Sequence, residues 1–172
     1  GNSNDTSSGL NALSSLTSGH DNVCIGTNAG HVISSGNYDT VIGSGSLTAE
    51  TIGQYNTVVG ATSAYMANAC SNLTSIGCNN CTGVLGGNTQ TVVLGSNSFN
   101  SCSAPVNDIV IGYSSGTNYS GNSTQNVIIG SMAASNQSNS LTSSNSVVIG
   151  HKAGFNMTSN SGNNVIIGSL SA

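Results

Sequence analysis

The chain repeats one short pattern of apolar and polar positions from end to end. A glycine recurs every 17 to 20 residues, at Gly9, Gly26, Gly43, Gly60, Gly77, Gly95, Gly112, Gly130, Gly150 and Gly168. From Gly26 onward each of these glycines directly follows an aliphatic residue, for example Ile25 and Ile42. A repeat of this length is typical of solenoids, in which each unit forms one turn and stacks on its neighbours.

Each repeat predicts one short β-strand. Val, Ile or Thr stands three residues before the glycine, as in Val23 and Thr40, and Asn or Asp often stands four before, as in Asn22 and Asp39. Such β-branched triplets between turn residues are typical of strands, and the density of Gly, Ser and Asn excludes helices. We therefore expect an all-β fold, a parallel β-solenoid of about ten rungs that spans residues 1–172 as a single domain. Its stacked Asn and Asp side chains are expected to form a ladder.

The middle residue of each triplet is apolar as well. These middle residues are Val41, Val58, Val93, Val110, Ile128, Val148 and Ile166, with Cys24 and Ser75 as departures. Successive side chains of a strand point to opposite faces, so a strand that is apolar at all three positions is buried on both faces. We predict that one face fills the coil and that the middle column faces the shared axis of a homotrimer.

The strand motif resembles that of a known family. The segments Asn22-Val23-Cys24-Ile25-Gly26 and Asn126-Val127-Ile128-Ile129-Gly130 are similar to the left-handed parallel β-roll heads of trimeric autotransporter adhesins and to related repeats of phage and giant-virus fibre proteins. The resemblance implies a trimeric, extracellular rod, on a cell-surface appendage or a virion fibre, that spaces or presents a binding site. Its implied partner is a host-surface glycan or protein. The chain departs from the adhesin heads in its longer period and in its Val or Ile at the middle position, where the heads usually have a small residue.

The chain carries few charges, with one Lys, no Arg, five acidic residues and a net charge of -4. Because Lys152 is the only basic side chain, no basic surface can neutralise phosphates, and we predict no nucleic-acid partner. The aliphatic runs are about three residues long, whereas a membrane-spanning helix needs about 20, so we predict no membrane insertion. Since the sequence begins at Gly1, we expect it to be a segment of a longer fibre.

A few residues outside the repeat pattern are candidates for chemistry. Cys70, Cys78, Cys81 and Cys102 fall within about two rungs and are candidates for a disulfide. Cys24, in the middle column, is expected to be a buried thiol. The pair Cys78 and Cys81 has no second Cys-x-x-Cys and no nearby His, so we predict no metal and no cofactor. Tyr38 and Tyr55 both stand five residues before a glycine and are candidates for glycan contact or for turn packing.

Two other classes of solenoid remain as alternatives. An ice- or surface-binding solenoid is one, because Thr40, Thr57 and Thr74 share a column. A hexapeptide-type acyltransferase is the other, but its second and third hexads would begin with polar residues such as His31 and Asn37. Glu50 is the only Glu, and no carboxylate pair or Ser-His-Asp spacing is present, so we predict that the protein is not an enzyme.

Overall fold

The computed structural model describes residues 4–83, 85–88, 90–100, 104–117, 124–135, 144–155 and 162–170. These residues form an all-β parallel solenoid of about eight turns. No helix that could cross a bilayer occurs among them. The described strands are β1 (Thr6–Ser8), β2 (Val23–Ile25), β3 (Thr40–Ile42), β4 (Thr57–Val59), β5 (Asn68–Ser71), β6 (Thr74–Ile76), β7 (Leu85–Asn88), β8 (Val92–Ser96), β9 (Ile109–Tyr113), β10 (Val127–Ile129), β11 (Val147–Ile149) and β12 (Val165–Ile167).

Most of these strands stack into one parallel sheet. Its ten strands follow the order β1, β2, β3, β4, β6, β8, β9, β10, β11 and β12, and each pairs with the equivalent strand one turn away. The register is in phase with the repeat, so that Val41 lies opposite Val58. β5 and β7 pair in parallel as a second, two-stranded sheet. The predicted parallel β-solenoid is therefore confirmed.

Besides the repeat glycine, three positions of the turns between strands have a left-handed backbone conformation. These positions are five residues before, two after and four after the glycine, and examples are Tyr55 (φ +60°), Asn28 (φ +57°) and Leu47 (φ +47°). A left-handed conformation costs an L-residue about 1–2 kcal/mol. Hydrogen bonds between turns offset this cost, since the N–H of Asn28 donates to the carbonyl of Leu10 at 2.8 Å and the N–H of Leu47 to that of Ser63 at 3.0 Å.

The glycine column is required by close approach of successive turns. Gly60 has φ +131°, and a Cβ added there would lie 2.2 Å from the carbonyl oxygen of Gly77. No side chain fits in this space. The glycine position of the repeat therefore accepts only glycine where another turn stacks on it.

The interior of the coil is filled by the middle residues of the strands. Within a single chain Cys24, Val41, Val58, Ser75, Val93, Val110, Ile128 and Val148 are fully buried, and Ile166 packs against the same cluster. Small and aliphatic residues of the turns, such as Ala29, Leu47 and Ala64, complete this core. The prediction that the middle column of Val41, Val58, Val93, Val110, Ile128, Val148 and Ile166 faces a trimer axis is therefore wrong.

The Asn and Asp column explains why the middle residues point inward. Asn22 and Asp39 are buried, and their side chains bond to the backbone of neighbouring turns inside the coil. The middle residue stands two positions later in the strand, on the same side. The residues one and three before the glycine therefore point outward.

Local changes in side-chain size keep this core packed. Phe99 is fully buried beside Gly116, where an added Cβ would lie 3.0 Å from the Phe99 ring. Ser75, which replaces the usual aliphatic residue, has its hydroxyl 2.8 Å from that of Ser63. Departures from the repeat are thus matched by residues across the coil.

Substitution of a repeat glycine tests the close approach of successive turns. We expect Gly60→Ala to lower the free energy of unfolding by about 3 kcal/mol or more, because the new methyl group would overlap the Gly77 carbonyl. Gly45→Ala is the matched control, since its φ is also positive (+65°) but the nearest atom to its Cβ, the Thr62 Cγ2, lies 3.5 Å away. The control should lose about 1 kcal/mol. Equal losses in urea denaturation would contradict the close approach.

Candidate functional site

The outward side of the ten-stranded sheet is an apolar surface. We call it the sheet face and define it by the residues one and three before each glycine from Gly26 onward. These residues are Val23, Ile25, Thr40, Ile42, Thr57, Val59, Thr74, Ile76, Val92, Leu94, Ile109, Ile111, Val127, Ile129, Val147, Ile149, Val165 and Ile167. Each column of the face runs along the rod, because the strands pair in register.

The sheet face is accessible to solvent in a single chain. None of its residues is buried, and Ile42 and Ile76 keep 38% and 42% of their surface exposed. The face contains no charged residue, and its polar members are the three threonines Thr40, Thr57 and Thr74. Because contiguous exposed apolar patches often serve as interaction sites, the sheet face is the candidate functional surface of this chain.

Tyr38 and Tyr55 form an aromatic stack on a different part of the rod. Their rings lie parallel with centroids 5.1 Å apart, and the edge of His20 packs against Tyr38 at 5.2 Å. The His20 Nδ1 in turn lies 2.8 Å from a carboxylate oxygen of Asp21. The facing sides of the two rings cover each other, while 47% of Tyr38 and 56% of Tyr55 remain exposed. The two tyrosines therefore pack on each other in the turns, and glycan contact by Tyr38 and Tyr55 stays a prediction.

No family model, curated protein or solved structure matches this chain. A function for this chain must therefore be inferred from the geometry of its own side chains. The solenoid itself is compatible with a structural repeat protein.

The polar ladder inside the coil is formed as predicted. The Oδ1 of Asn22 accepts from the N–H of Asp39 at 3.0 Å, and the Oδ1 of Asp39 accepts from the N–H of Asn56 at 2.9 Å. The amide groups of the Asn residues also reach backbone carbonyls, with Asn22 Nδ2 2.9 Å from the Gly36 oxygen and Asn56 Nδ2 2.9 Å from the Cys70 oxygen. Each Asn thus joins its turn to the next one through both ends of its side-chain amide.

Asp39 completes only half of this pattern. Its Oδ2 is buried and has no hydrogen-bond partner. By analogy with Asn22 and Asn56, this atom faces the carbonyl of Gly53, and both oxygens lie within 2.8 Å of the point where a Cβ of Gly36 would be. Burial, with a further contribution from the charge of Glu50, raises the pKa of Asp39 to about 7. A proton on Oδ2 would remove the repulsion between these two oxygens.

Glu50 is a buried carboxylate held by backbone N–H groups. Its Oε1 accepts from the N–H groups of Thr51, Ile52, Gly53 and Ala69 at 2.6 to 3.1 Å, and its Oε2 accepts from Cys70 at 2.6 Å. In earlier turns the N–H groups of Thr17 and Ser34 instead donate to the carbonyls of the following turn. Glu50 therefore joins two turns at the place where β5 changes the regular pattern.

The cysteines do not form the predicted staple among the described residues. No disulfide joins any two of Cys24, Cys70, Cys78 and Cys81. Cys102 lies outside the described residues, so a disulfide that includes it stays a prediction. Cys24 is buried, as predicted, and burial raises the pKa of its thiol to about 12. This thiol is neither ionised nor accessible at physiological pH.

The raised pKa of Asp39 predicts a pH-dependent stability. An acid whose pKa is higher in the folded chain binds more protons there, so the free energy of unfolding should fall as the pH rises from about 4 to about 7. One pKa unit corresponds to about 1.4 kcal/mol, which gives a loss of a few kcal/mol. Asp39→Asn should remove this loss, because the new amide can donate to the Gly53 carbonyl. Urea denaturation of the wild-type chain and of Asp39→Asn at pH 5 and pH 8 measures this effect. The same change in the free energy of unfolding between the two pH values in both proteins would contradict the prediction.

The N–H groups around Glu50 predict a large effect of a nearly isosteric change. Glu50→Gln places an NH₂ group against backbone donors and leaves at least one of them without an acceptor. We expect the free energy of unfolding at pH 7 to fall by about 2–4 kcal/mol. Asp21→Asn is the control, since it removes the same charge from a more accessible acid. Equal effects of the two substitutions would show that charge, and not the buried geometry, determines the change.

Proposed function

We propose that the chain is a segment of a trimeric extracellular fibre, in which it forms a stiff rod that spaces or presents a binding site. The observation that carries this proposal is the sheet face, an uncharged and largely aliphatic surface along nine of the ten strands of the sheet. The resemblance of the strand motif to fibre and adhesin repeats agrees with it. Such a role requires no catalytic group.

The proposed interface is the sheet face and not the middle column. The face spans nine strands, so with a spacing of about 4.7–4.9 Å it is roughly 38 Å long. Three parallel copies arranged around one axis would bring the same aliphatic columns together, as cyclic symmetry requires. Because these columns carry no charge, association would depend on apolar burial and would change little with salt.

A second candidate function uses the same surface. Thr40, Thr57 and Thr74 lie opposite one another in register, beside Ile42, Val59 and Ile76. A flat, uncharged array of this kind also suits an ice-binding solenoid. This function needs the face to be open, whereas a fibre buries it, so the state of association separates the two. Thermal hysteresis of a monomeric protein would favour ice binding.

Sedimentation equilibrium tests the fibre proposal. The wild-type chain should sediment at about three times its mass of 17.0 kDa. The double variant Ile42→Lys and Ile76→Lys should sediment as a monomer, because each Lys would bury a charge in the interface. Ile52→Lys is the matched control, since Ile52 is 56% exposed and lies outside the ten-stranded sheet. A wild-type monomer, or a control that dissociates as readily as the double variant, would overturn the proposal.

A further inference from the structure

A cleft lies on the turns of the rod, away from the sheet face. It has a volume of about 480 Å³ and is lined by Asn28, His31, Gly45, Thr48, Ala49, Tyr65 and Met66. All of these residues stand two to six positions after a glycine of the repeat. The volume is in the range of small-ligand pockets, about 300–1,000 Å³.

The cleft exists because one turn lacks side chains that its neighbours have. Gly45 occupies the column that holds Asn28 in the preceding turn and Thr62 in the following one. Ala49 likewise stands between Val32 and Met66. The turn that begins at Gly43 is therefore recessed, and its neighbours form the two walls.

The side-chain ladders of the rod surface are interrupted at the same place. On one side, Asn11 Nδ2 donates to Asn28 Oδ1 at 3.1 Å, and the Ser14 hydroxyl lies 2.7 Å from His31 Nδ1. On the other side, Thr48 Oγ1 donates to the Tyr65 carbonyl at 2.7 Å. Within residues 4–83, no side-chain hydrogen bond connects Asn28 to Gly45 or His31 to Thr48. The amide nitrogen of Asn28 and the Nε2 of His31 thus remain available to a ligand.

The lining combines apolar surface with uncharged polar groups. Tyr65 and Met66 supply the apolar surface and are 48% and 51% exposed. The lining contains no Lys, Arg, Asp or Glu, so an ionic ligand would find no opposite charge. Tyr65 also differs from Tyr38 and Tyr55, because among the described rings it stacks on none.

We propose that this cleft binds a neutral saccharide. The apolar C–H face of a pyranose would pack on the Tyr65 ring and Met66, and its hydroxyl groups would bond to Asn28, His31 and Thr48. The proposal does not rest on the trimer, since no residue of the cleft belongs to the sheet face.

Two variants and one matched control test the site. Tyr65→Ala removes the stacking surface. Gly45→Asn fills the recess, and the fold should accept it because Asn28 and Asn97 occupy the same column with similar positive φ values of +57° and +54°. Tyr55→Ala is the control, because it removes an exposed tyrosine of the aromatic stack. Circular dichroism should show that all three variants are folded.

The probes are methyl glycosides of glucose, galactose, mannose and N-acetylglucosamine, with N-acetylneuraminic acid as a charged comparison. Saturation-transfer NMR at millimolar sugar, together with an array of neutral oligosaccharides, should detect binding of at least one neutral sugar to the wild-type chain. Tyr65→Ala and Gly45→Asn should each weaken it about tenfold or more, and Tyr55→Ala should not. Absence of binding by every neutral probe, loss in Tyr55→Ala alone, or preference for the charged sugar would overturn the proposal.

Discussion

The in-register stacking of identical turns determines what each position of this chain can be. In a parallel sheet with no register shift, every side chain lies about 4.8 Å from its equivalent in the next turn. Apolar, hydroxyl and amide groups tolerate a copy of themselves at that distance, whereas like charges repel each other. This constraint accounts for a chain with only six charged residues of Lys, Arg, Asp and Glu. In the ladder column Asp5 and Asp39 are separated by Asn22, and Asp39 is followed by Asn56.

The same constraint makes Asn the best residue of the inner ladder and Asp a compromise. The Asn22 amide accepts from one backbone N–H of the next turn and donates to a carbonyl of that turn, so both of its polar atoms are satisfied inside the coil. A carboxylate can only accept, and its second oxygen then faces a carbonyl. At Glu50 the situation is the reverse, because several backbone N–H groups donate there and a carboxylate can accept all of them. The chain thus buries acidic groups of two kinds, one that gains from a proton and one that is satisfied as an anion.

Much of the fold could be predicted from the sequence, because the repeat specifies strands, turns and the inner ladder directly. The apolar triplets alone could not show which face of each strand points into the coil, since all three positions are usually aliphatic. The decisive signal was the Asn and Asp column, which must be inside to bond to the backbone and which shares its side with the middle residue. The role of Glu50 was missed, although a lone Glu in a column held by Leu16, Ile33 and Ala67 was a visible signal. The cleft depends on two small residues, Gly45 and Ala49, whose effect appears only when the neighbouring turns are placed beside them.

The corrected orientation also changes the reason for expecting a partner. If the middle column had pointed outward, a single coil would have lacked part of its core. Instead each coil fills its own interior with residues such as Val58 and Leu47, and Phe99 is accommodated beside a glycine. The proposed partner would therefore cover the aliphatic residues of the sheet face and would not complete the fold. The residues that line the cleft belong to side-chain columns in the turns, and these columns are separate from those of the sheet face. Substitutions in the turns can therefore form a cleft without affecting the sheet that joins one turn to the next.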